Sequence, residues 1–583
     1  LKGGALKVRH IYIRNFRGIK SLSWTVSGDF NCIVGSGDTC KTTILNALDY
    51  ALTPRTAVTF DDTDFFNQDV DQDIQIQVTL SDWDENRPEI KEFFKESKFA
   101  QFKCGLTDTG PIPEPEDGGQ IAISVSLRVD KSLEPKWTIV KGLDDGTREQ
   151  APLYASDRAF LGVSRLDVFA DSQFTWGRNT ILTRLSANQP KNLGSVLSDL
   201  TRALKQKDVS SYQGIVECQS VAEEIRTEAQ KTGVKLSGLA PRIDLQRQSV
   251  TTGALSLHES NVPVRSKGLG SKRLIAAAMQ MMLHAGKNIA LIDELEIGLE
   301  PHRIRGMIRR LKNTNQQIFT TTHSPVVIRE LDVSKNELYV CRRDVDGNVV
   351  VESLASVPDI QAAVRANAEA FLGSKIVACE GKTEIGCIRA YDVFQFDSNA
   401  EEPPVWSLAT SYFDCSGGSK IRTACEKLMK LGYRAAVLCD NDAKDQISDE
   451  DVQALRDGGA YVCQWEKGNS TERQLFSDLP WEYVPAAIAL IARNHDSLEH
   501  ATIIDCIRRD PRAADLKLSD EPTKWKESTL LREVIGDVVR KNDWIKRIDY
   551  SQKLFEFALP RLREASSLRR ELAELWRWVQ ADV

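Results

Sequence analysis

Residues 30–45 read FNCIVGSGDTCKTTIL, and this stretch decides how the first half of the chain folds. An apolar strand through Ile33 and Val34 runs into the small-residue turn Gly35-Ser36-Gly37-Asp38. Thr39 and Cys40 then lead to Lys41-Thr42-Thr43 and an amphipathic helix. That is the layout of a phosphate-binding loop. Backbone N–H groups at a helix N-terminus cradle an anion, a lysine reaches the outer phosphates, and a hydroxyl holds Mg²⁺. Gly35, Lys41 and Thr42 fit the pattern G-x-x-x-x-G-K-[ST], with Gly37, Asp38 and Thr43 completing the lining, but Cys40 stands where the second glycine belongs. A Cβ there narrows the backbone conformations beside the phosphates. Nucleotide is therefore expected to bind through Lys41 and Thr42 but to turn over slowly.

Bulk properties set the frame around this loop. A chain of 583 residues is expected to form two or three domains, and 41% hydrophobic with 27% charged residues is enough for real cores. The formal net charge of −7 excludes a polycation, so any nucleic-acid contact must come from local basic faces. Candidates are HRIRGMIRRLK (302–312), residues 420–434 and residues 561–577, though each reads first as a solvated helix face. Apolar runs such as 274–283 are too short to cross a bilayer, and no charged-then-apolar leader is visible, so a cytoplasmic protein without a membrane partner is expected. The 12 cysteines are scattered and several (Cys32, Cys379, Cys439, Cys463) lie in apolar runs, a pattern of buried free thiols.

Along the chain, VRHIYIRNFRGIK (8–20) alternates apolar and polar residues and reads as an edge strand. Strand-like runs IQIQVTLSDW (74–83) and IAISVSLRV (121–129) flank the loop TDTGPIPEPEDGGQ (107–120), which reads as a mobile surface excursion. Residues 193–235 are polar helices with one apolar stripe at Val196, Leu197, Leu200 and Leu204 and another at Val221 and Ile225. They fit either a subdomain under the sheet or a helical arm for self-association. In VRSKGLGSKRLIAAAMQMML (264–283) a Ser/Gly turn opens an apolar helix. In KNIALIDELEIGLEPHR (287–303) an apolar strand ends at Asp293-Glu294, and in QQIFTTTHSPVVI (316–328) another ends at Thr322-His323.

In this order the motifs make coherent chemistry. Asp293 would orient Mg²⁺ beside Thr42, Glu294 would activate the attacking water, and His323 would contact the γ-phosphate. Ser266, Gly268 and Gly270, at a second helix N-terminus, would bind a γ-phosphate presented by another subunit. The set resembles the ABC-type ATPase head of the ABC/SMC/RecF kind, with SKGLGS in place of the usual LSGGQ signature and Leu295 in place of proline. The resemblance implies ATP sandwiched between two heads, hence a homodimer.

A second acidic pattern follows. SKIVACEGKTE (374–384) is a strand ending at Glu380-Gly381 with Glu384 on the next helix. RAAVLCDNDAKD (434–445) ends at Asp440-x-Asp442, and AYVCQWE (460–466) precedes Glu472. Strand–helix–strand alternation means a parallel sheet, whose ligands lie at the carboxyl ends of the strands. Strand-end acids can merely cap helices. Glu-Gly followed by Asp-x-Asp reads better as a hard-oxygen cage for Mg²⁺ or Mn²⁺, with room for two metals roughly 4 Å apart.

This half resembles the Toprim domain of topoisomerases, primases and some nucleases. An ABC-type head followed by Toprim is similar to the OLD (overcoming lysogenization defect) family of ATPase-nucleases, several of which act in anti-phage systems such as Gabija. The resemblance implies an α/β chain in three parts. They are an ABC-type ATPase domain over 8–365 with a helical dimerisation insertion at about 175–250, a Rossmann-like Toprim domain over 370–480, and mainly helical residues 481–583 completing the nuclease. It implies Glu380, Glu384, Asp440, Asp442 and Glu472 as metal-binding acids (Mg²⁺, with Mn²⁺ or Ca²⁺ as alternatives). Lys546, in NDWIKRIDYSQKLFEFAL (542–559), would be the residue that stabilises charge on the phosphate. The expected function is an ATP-regulated, metal-dependent DNA endonuclease or nickase in anti-phage defence, acting on DNA as a homodimer or larger assembly with a companion defence protein or RNA. A RecF-like clamp without nuclease activity is the alternative. Strand passage would need a nucleophilic tyrosine, for which Tyr433 and Tyr550 are the residues at hand.

Overall fold

A computed structural model describes residues 6–581 except 57, 87, 96–97, 117–118, 167–170, 177–179, 186–198, 201, 204–212, 232–254, 284–288, 315, 399–402, 443–446 and 496. Among the described residues, two sheets carry the architecture: a 14-stranded mixed sheet and a four-stranded one. The large sheet has a parallel half in the order Val163–Leu166, Ile289–Ile292, Gln317–Thr321, Phe30–Val34, Leu338–Arg343. Its central strands Ile289–Ile292, Gln317–Thr321 and Phe30–Val34 are buried throughout, as parallel strands are. Order matters here: the strands ending at the phosphate loop, at Asp293 and at Thr322 lie close together, so their carboxyl ends converge.

The other half is antiparallel apart from the short parallel pairing of Asn348–Ser353 with Ile19–Thr25. Lys7–Phe16 pairs with Ile19–Thr25 on one side and with Ile74–Ser81 on the other. The expected edge strand is therefore interior. Its second neighbour lies far along the sequence, where local alternation holds no trace of it. Part of the expected surface excursion is strand: Gly110–Ile112 pairs with Cys104–Thr107, which pairs in turn with Gln120–Val129.

Helix Gln213–Lys231 exposes Val221 and Ile225, and Leu200 is also exposed. Val196, Leu197 and Leu204 lie outside the described residues. The cysteines are free, and Cys32, Cys379, Cys439 and Cys463 are buried. No described helix is long and apolar enough to cross a membrane.

The second sheet is wholly parallel, in the order Thr410–Asp414, Lys375–Cys379, Arg434–Cys439, Tyr461–Gln464. Its outer strand, TSYFD, has no clear apolar period and escaped the sequence reading. One apolar core runs from Val34, Ile292 and Val340 through Leu331, Val364 and Phe371 to Ile376, Phe413 and Val437, so the two sheets share packing. Asn367, in the segment leading into the second sheet, is tied to its outer strand. Its Nδ2 donates to the Asp414 carbonyl (3.1 Å) and its Oδ1 accepts from the Asp414 N–H (2.9 Å). Tyr433 is buried and its hydroxyl donates to the Phe371 carbonyl at 3.0 Å, a structural tether that leaves it unsuited to act as a nucleophile.

Helices of the C-terminal region cover the other face of the second sheet. Helix Lys382–Ser398, which carries Glu384, crosses helix Ile548–Ala558 at Gly386. A Cβ there would lie 2.6 Å from the Ser551 Cβ and 2.7 Å from the Ile548 carbonyl. Gly386→Ala forces the helices apart and is expected to destabilise the protein by about 2 kcal/mol. Chemical denaturation followed by circular dichroism checks this, and an unchanged midpoint would show that the crossing is loose.

Candidate functional site

At the phosphate loop, Gly35 (φ 146) lies so close to the Leu338–Arg343 strand that a Cβ would stand 2.4 Å from the Cys341 carbonyl. Lys41 opens helix Lys41–Leu52 and is buried. Its Nζ donates to the Gly35 and Ser36 carbonyls (3.0 and 2.6 Å) and to Thr39 Oγ1 (3.2 Å). Burial pushes this ammonium below its ordinary value. The loop thus curls around its own cation.

Thr42 Oγ1 donates to Asp293 Oδ1 at 3.2 Å, and Thr321 Oγ1 donates to the same oxygen at 2.6 Å. Three strand ends meet there. Glu294 follows in the left-handed region (φ 45), held by its N–H donating to Thr321 Oγ1 (2.8 Å). Such backbone strain costs about 1–2 kcal/mol and clusters at functional positions. His323 is exposed, with its N–H donating to Glu296 Oε1 at 2.6 Å. Ser266 and Gly268 are exposed, whereas Gly270 is needed for packing: a Cβ would lie 2.3 Å from the Gly298 carbonyl.

Two residues of this site escaped the sequence reading. Glu296 also accepts from the Thr322 hydroxyl (2.7 Å), so it braces the Thr322-His323 turn. Its signal was available in the spacing D-E-L-E. Arg273, buried on helix Leu269–Leu283, donates from Nη2 to the carbonyls of Asp293 and Glu294, both at 2.6 Å. Nothing local distinguishes it from a solvated helix arginine.

Cys40 has φ 67, a left-handed conformation that glycine adopts freely and other residues at a cost of about 1–2 kcal/mol. Its Sγ fills the notch over Gly18, 2.7 Å from where a Cβ would stand. Cys40→Gly relaxes the loop next to Lys41, and ATP turnover is expected to rise about fivefold. Phosphate release under saturating ATP measures it, and an unchanged rate would remove Cys40 as the brake.

At the second sheet, Glu380, Glu384, Asp440, Asp442 and Glu472 gather at the carboxyl ends of neighbouring strands. Thr471, the first residue of helix Thr471–Asp478, ties three of the elements together. Its hydroxyl lies 2.7 Å from Glu384 Oε1 and 2.9 Å from Asp440 Oδ1, and its N–H donates to the same Asp440 oxygen at 2.8 Å. The Asp440 N–H donates to Glu380 Oε2 (3.1 Å), the Gly381 N–H to Glu384 Oε2 (2.7 Å), and Thr383 Oγ1 to Glu472 Oε1 (3.4 Å). Burial first, and then mutual repulsion, push the carboxyls of Glu384, Asp440 and Glu472 above the ordinary carboxylate range.

The donor set is all carboxylate, which suits Mg²⁺, Mn²⁺ or Ca²⁺ rather than zinc. Among the described residues, however, no three His, Cys, Asp or Glu side chains are arranged as metal ligands. The acids are instead engaged by Thr471, by backbone amides and by Arg540, which ion-pairs with Asp442 and lies 3.7 Å from Asp440 Oδ2. Lys546 is exposed and pairs with Asp543 at 2.6 Å, and its charge only slightly offsets the burial that raises the Glu472 carboxyl. Some cations of the basic runs form ion pairs: Arg305 with Glu330, Lys312 with Glu337, Arg422 with Glu426 and Asp451, Arg569 with Glu564.

Comparison with known proteins assigns the first site its class. Residues 6–109, which hold the phosphate loop, match a family model described as "AAA ATPase domain". Residues 220–329, which hold Asp293, Glu294 and His323, match one described as "AAA domain, putative AbiEii toxin, Type IV TA system". These matches support an ATPase-type, nucleotide-binding unit in the first part of the chain.

Among solved structures, the chain is similar to the Smc head domain with an extended coiled coil, bound to the C-terminal domain of ScpA, from Pyrococcus furiosus. The identity is 14% and the TM-score 0.35, over 62% of this chain and 100% of that one. The SMC head domain from Thermotoga maritima is similar at 11% identity and TM-score 0.28, over 60% and 98% of the respective chains. No curated protein matches the chain.

Proposed function

We propose that the chain is an ATP-regulated, divalent-metal-dependent DNA endonuclease or nickase of the OLD type, with the chemistry at the second sheet and the ATPase unit as its control. The observation that carries this reading is the gathering of five carboxylates at the ends of parallel strands, two of them linked through one threonine. Charges of one sign are driven together against their own repulsion, an arrangement that fold stability alone does not favour.

A bound divalent cation would supply Lewis acidity and a nucleophilic water at neutral pH. Glu380, Asp440 and Asp442 would hold it, with Glu384 and Glu472 positioning a second. Thr471 orients the carboxylates, and Lys546, on the rim near Glu472, would approach the phosphate once freed from Asp543. In the ATPase unit, Lys41 would hold the outer phosphates, Thr42 and Asp293 the Mg²⁺, and Glu294 the attacking water. His323 and a partner's Ser266–Gly270 segment would sense the γ-phosphate across a homodimer. The core shared by the two sheets would give a nucleotide-dependent shift of the first sheet a route to the second. Anti-phage defence is the biological setting the family resemblance favours.

Supercoiled plasmid incubated with the protein and Mg²⁺ or Mn²⁺, with and without ATP, tests the proposal: nicked or linear product is expected with metal and none in chelator. A plasmid shifted but never nicked would overturn it in favour of a DNA clamp that uses ATP to load or sense DNA. That second reading draws on the neutralisation of Asp442 by Arg540, which leaves the acids without a ready metal cage.

A further inference from the structure

Arg540 lies in the last turn of helix Thr529–Lys541, where a basic side chain ordinarily faces solvent and the helix carbonyls. Instead its guanidinium turns onto the acid cluster. Nη1 pairs with Asp442 Oδ2, and Nη2 lies 3.7 Å from Asp440 Oδ2. The contact is partly sheltered, with side-chain exposures of 28% for Arg540, 12% for Asp442 and 8% for Asp440.

The helix is also anchored. Gly536 touches helix Thr471–Asp478 so closely that a Cβ would stand 2.6 Å from the Arg473 Cα. Asp537 accepts from Arg473 (3.1 and 2.8 Å) and from Arg512 (2.7 Å). The same helix Thr471–Asp478 supplies Thr471 and Glu472 to the site. The guanidinium is therefore built into the cluster by a rigid helix pair, unlike a surface ion pair that two flexible side chains form at little gain.

From this geometry we propose that Arg540 is a built-in counter-ion that occupies the Asp440–Asp442 pair in the metal-free protein and must be displaced for a divalent cation to bind there. This rests on the reading of the acids as a metal site. Two positive groups cannot share the same carboxylate oxygens without strong repulsion. The cation therefore binds at the expense of the Arg540 ion pair. The device keeps a cluster of like charges folded until metal arrives, and it lowers the site's apparent affinity.

The test is calorimetric titration of the full chain with MnCl₂, without nucleotide or DNA, for wild type, Arg540→Gln and Asp440→Asn, together with thermal unfolding in EDTA. Arg540→Gln is expected to bind Mn²⁺ about tenfold more tightly than wild type, since one competing ion pair of ordinary strength is gone. In EDTA it is expected to unfold at a lower temperature than wild type and to recover when Mn²⁺ is added. If wild type and Arg540→Gln bind equally while Asp440→Asn loses binding, the metal site stands and the counter-ion role fails. If none of the three binds Mn²⁺, both fail. Should Arg540→Gln not fold, Arg540→Lys, which keeps a charge but not the fork, is expected to bind about threefold more tightly than wild type. An unchanged constant for it overturns the proposal.

Discussion

Asp440→Asn is expected to lower plasmid nicking by about a thousandfold or more, the scale of losing a metal ligand at the reacting centre. The substitution is conservative for the fold. Asn Oδ1 still accepts from the Thr471 N–H and hydroxyl, now 2.8 and 2.9 Å from Asp440 Oδ1. What disappears is a negative charge that burial and Glu380 already disfavour, so thermal stability in EDTA should hold or rise. Nucleotide binding should not change, because Lys41, Thr42 and Asp293 belong to the other sheet. Gel assays of supercoiled plasmid with Mg²⁺ and Mn²⁺ read the effect. Cleavage at the wild-type rate would remove the second sheet as the reacting centre.

Lys41→Ala carries the second large effect. The Lys41 ammonium is held within the loop by the Gly35 and Ser36 carbonyls and the Thr39 hydroxyl. Its removal deletes a charged hydrogen-bond donor to the outer phosphates, worth about 1.5–3 kcal/mol. Affinity for ATP should therefore fall about a hundredfold, measured by titration with a fluorescent ATP analogue. Whatever ATP does to nicking should vanish with it, while metal-dependent nicking without ATP persists. An unchanged affinity would mean that nucleotide sits elsewhere.

The sequence was most informative where chemistry demands residues at fixed local spacing. Gly35 to Thr43, Asp293-Glu294, Thr322-His323, Glu380-Gly381 and Asp440-x-Asp442 all stand at strand ends, and the strands of the second sheet are parallel as their alternation with helices implied. It was least informative about pairing and counter-charge. The strand Lys7–Phe16 looked like an edge because its partner Ile74–Ser81 is distant in the chain. Nor did the sequence show that Lys546, two residues after the buried Trp544, pairs with Asp543.

What the sequence by itself determined is therefore an inventory: one phosphate loop with its acidic strand ends, and a second set of acids placed to follow strands of another sheet. Local backbone geometry dictates both, and local geometry is written in short motifs. Only the tertiary structure decided how the charges are balanced. Arg273 reaches the Asp293-Glu294 carbonyls across the first sheet, and Thr471 joins Glu384 to Asp440. Arg540 neutralises Asp442 from a helix some hundred residues further along the chain. Electrostatic energy depends on distance in space and on burial, and neither is carried by spacing along the chain.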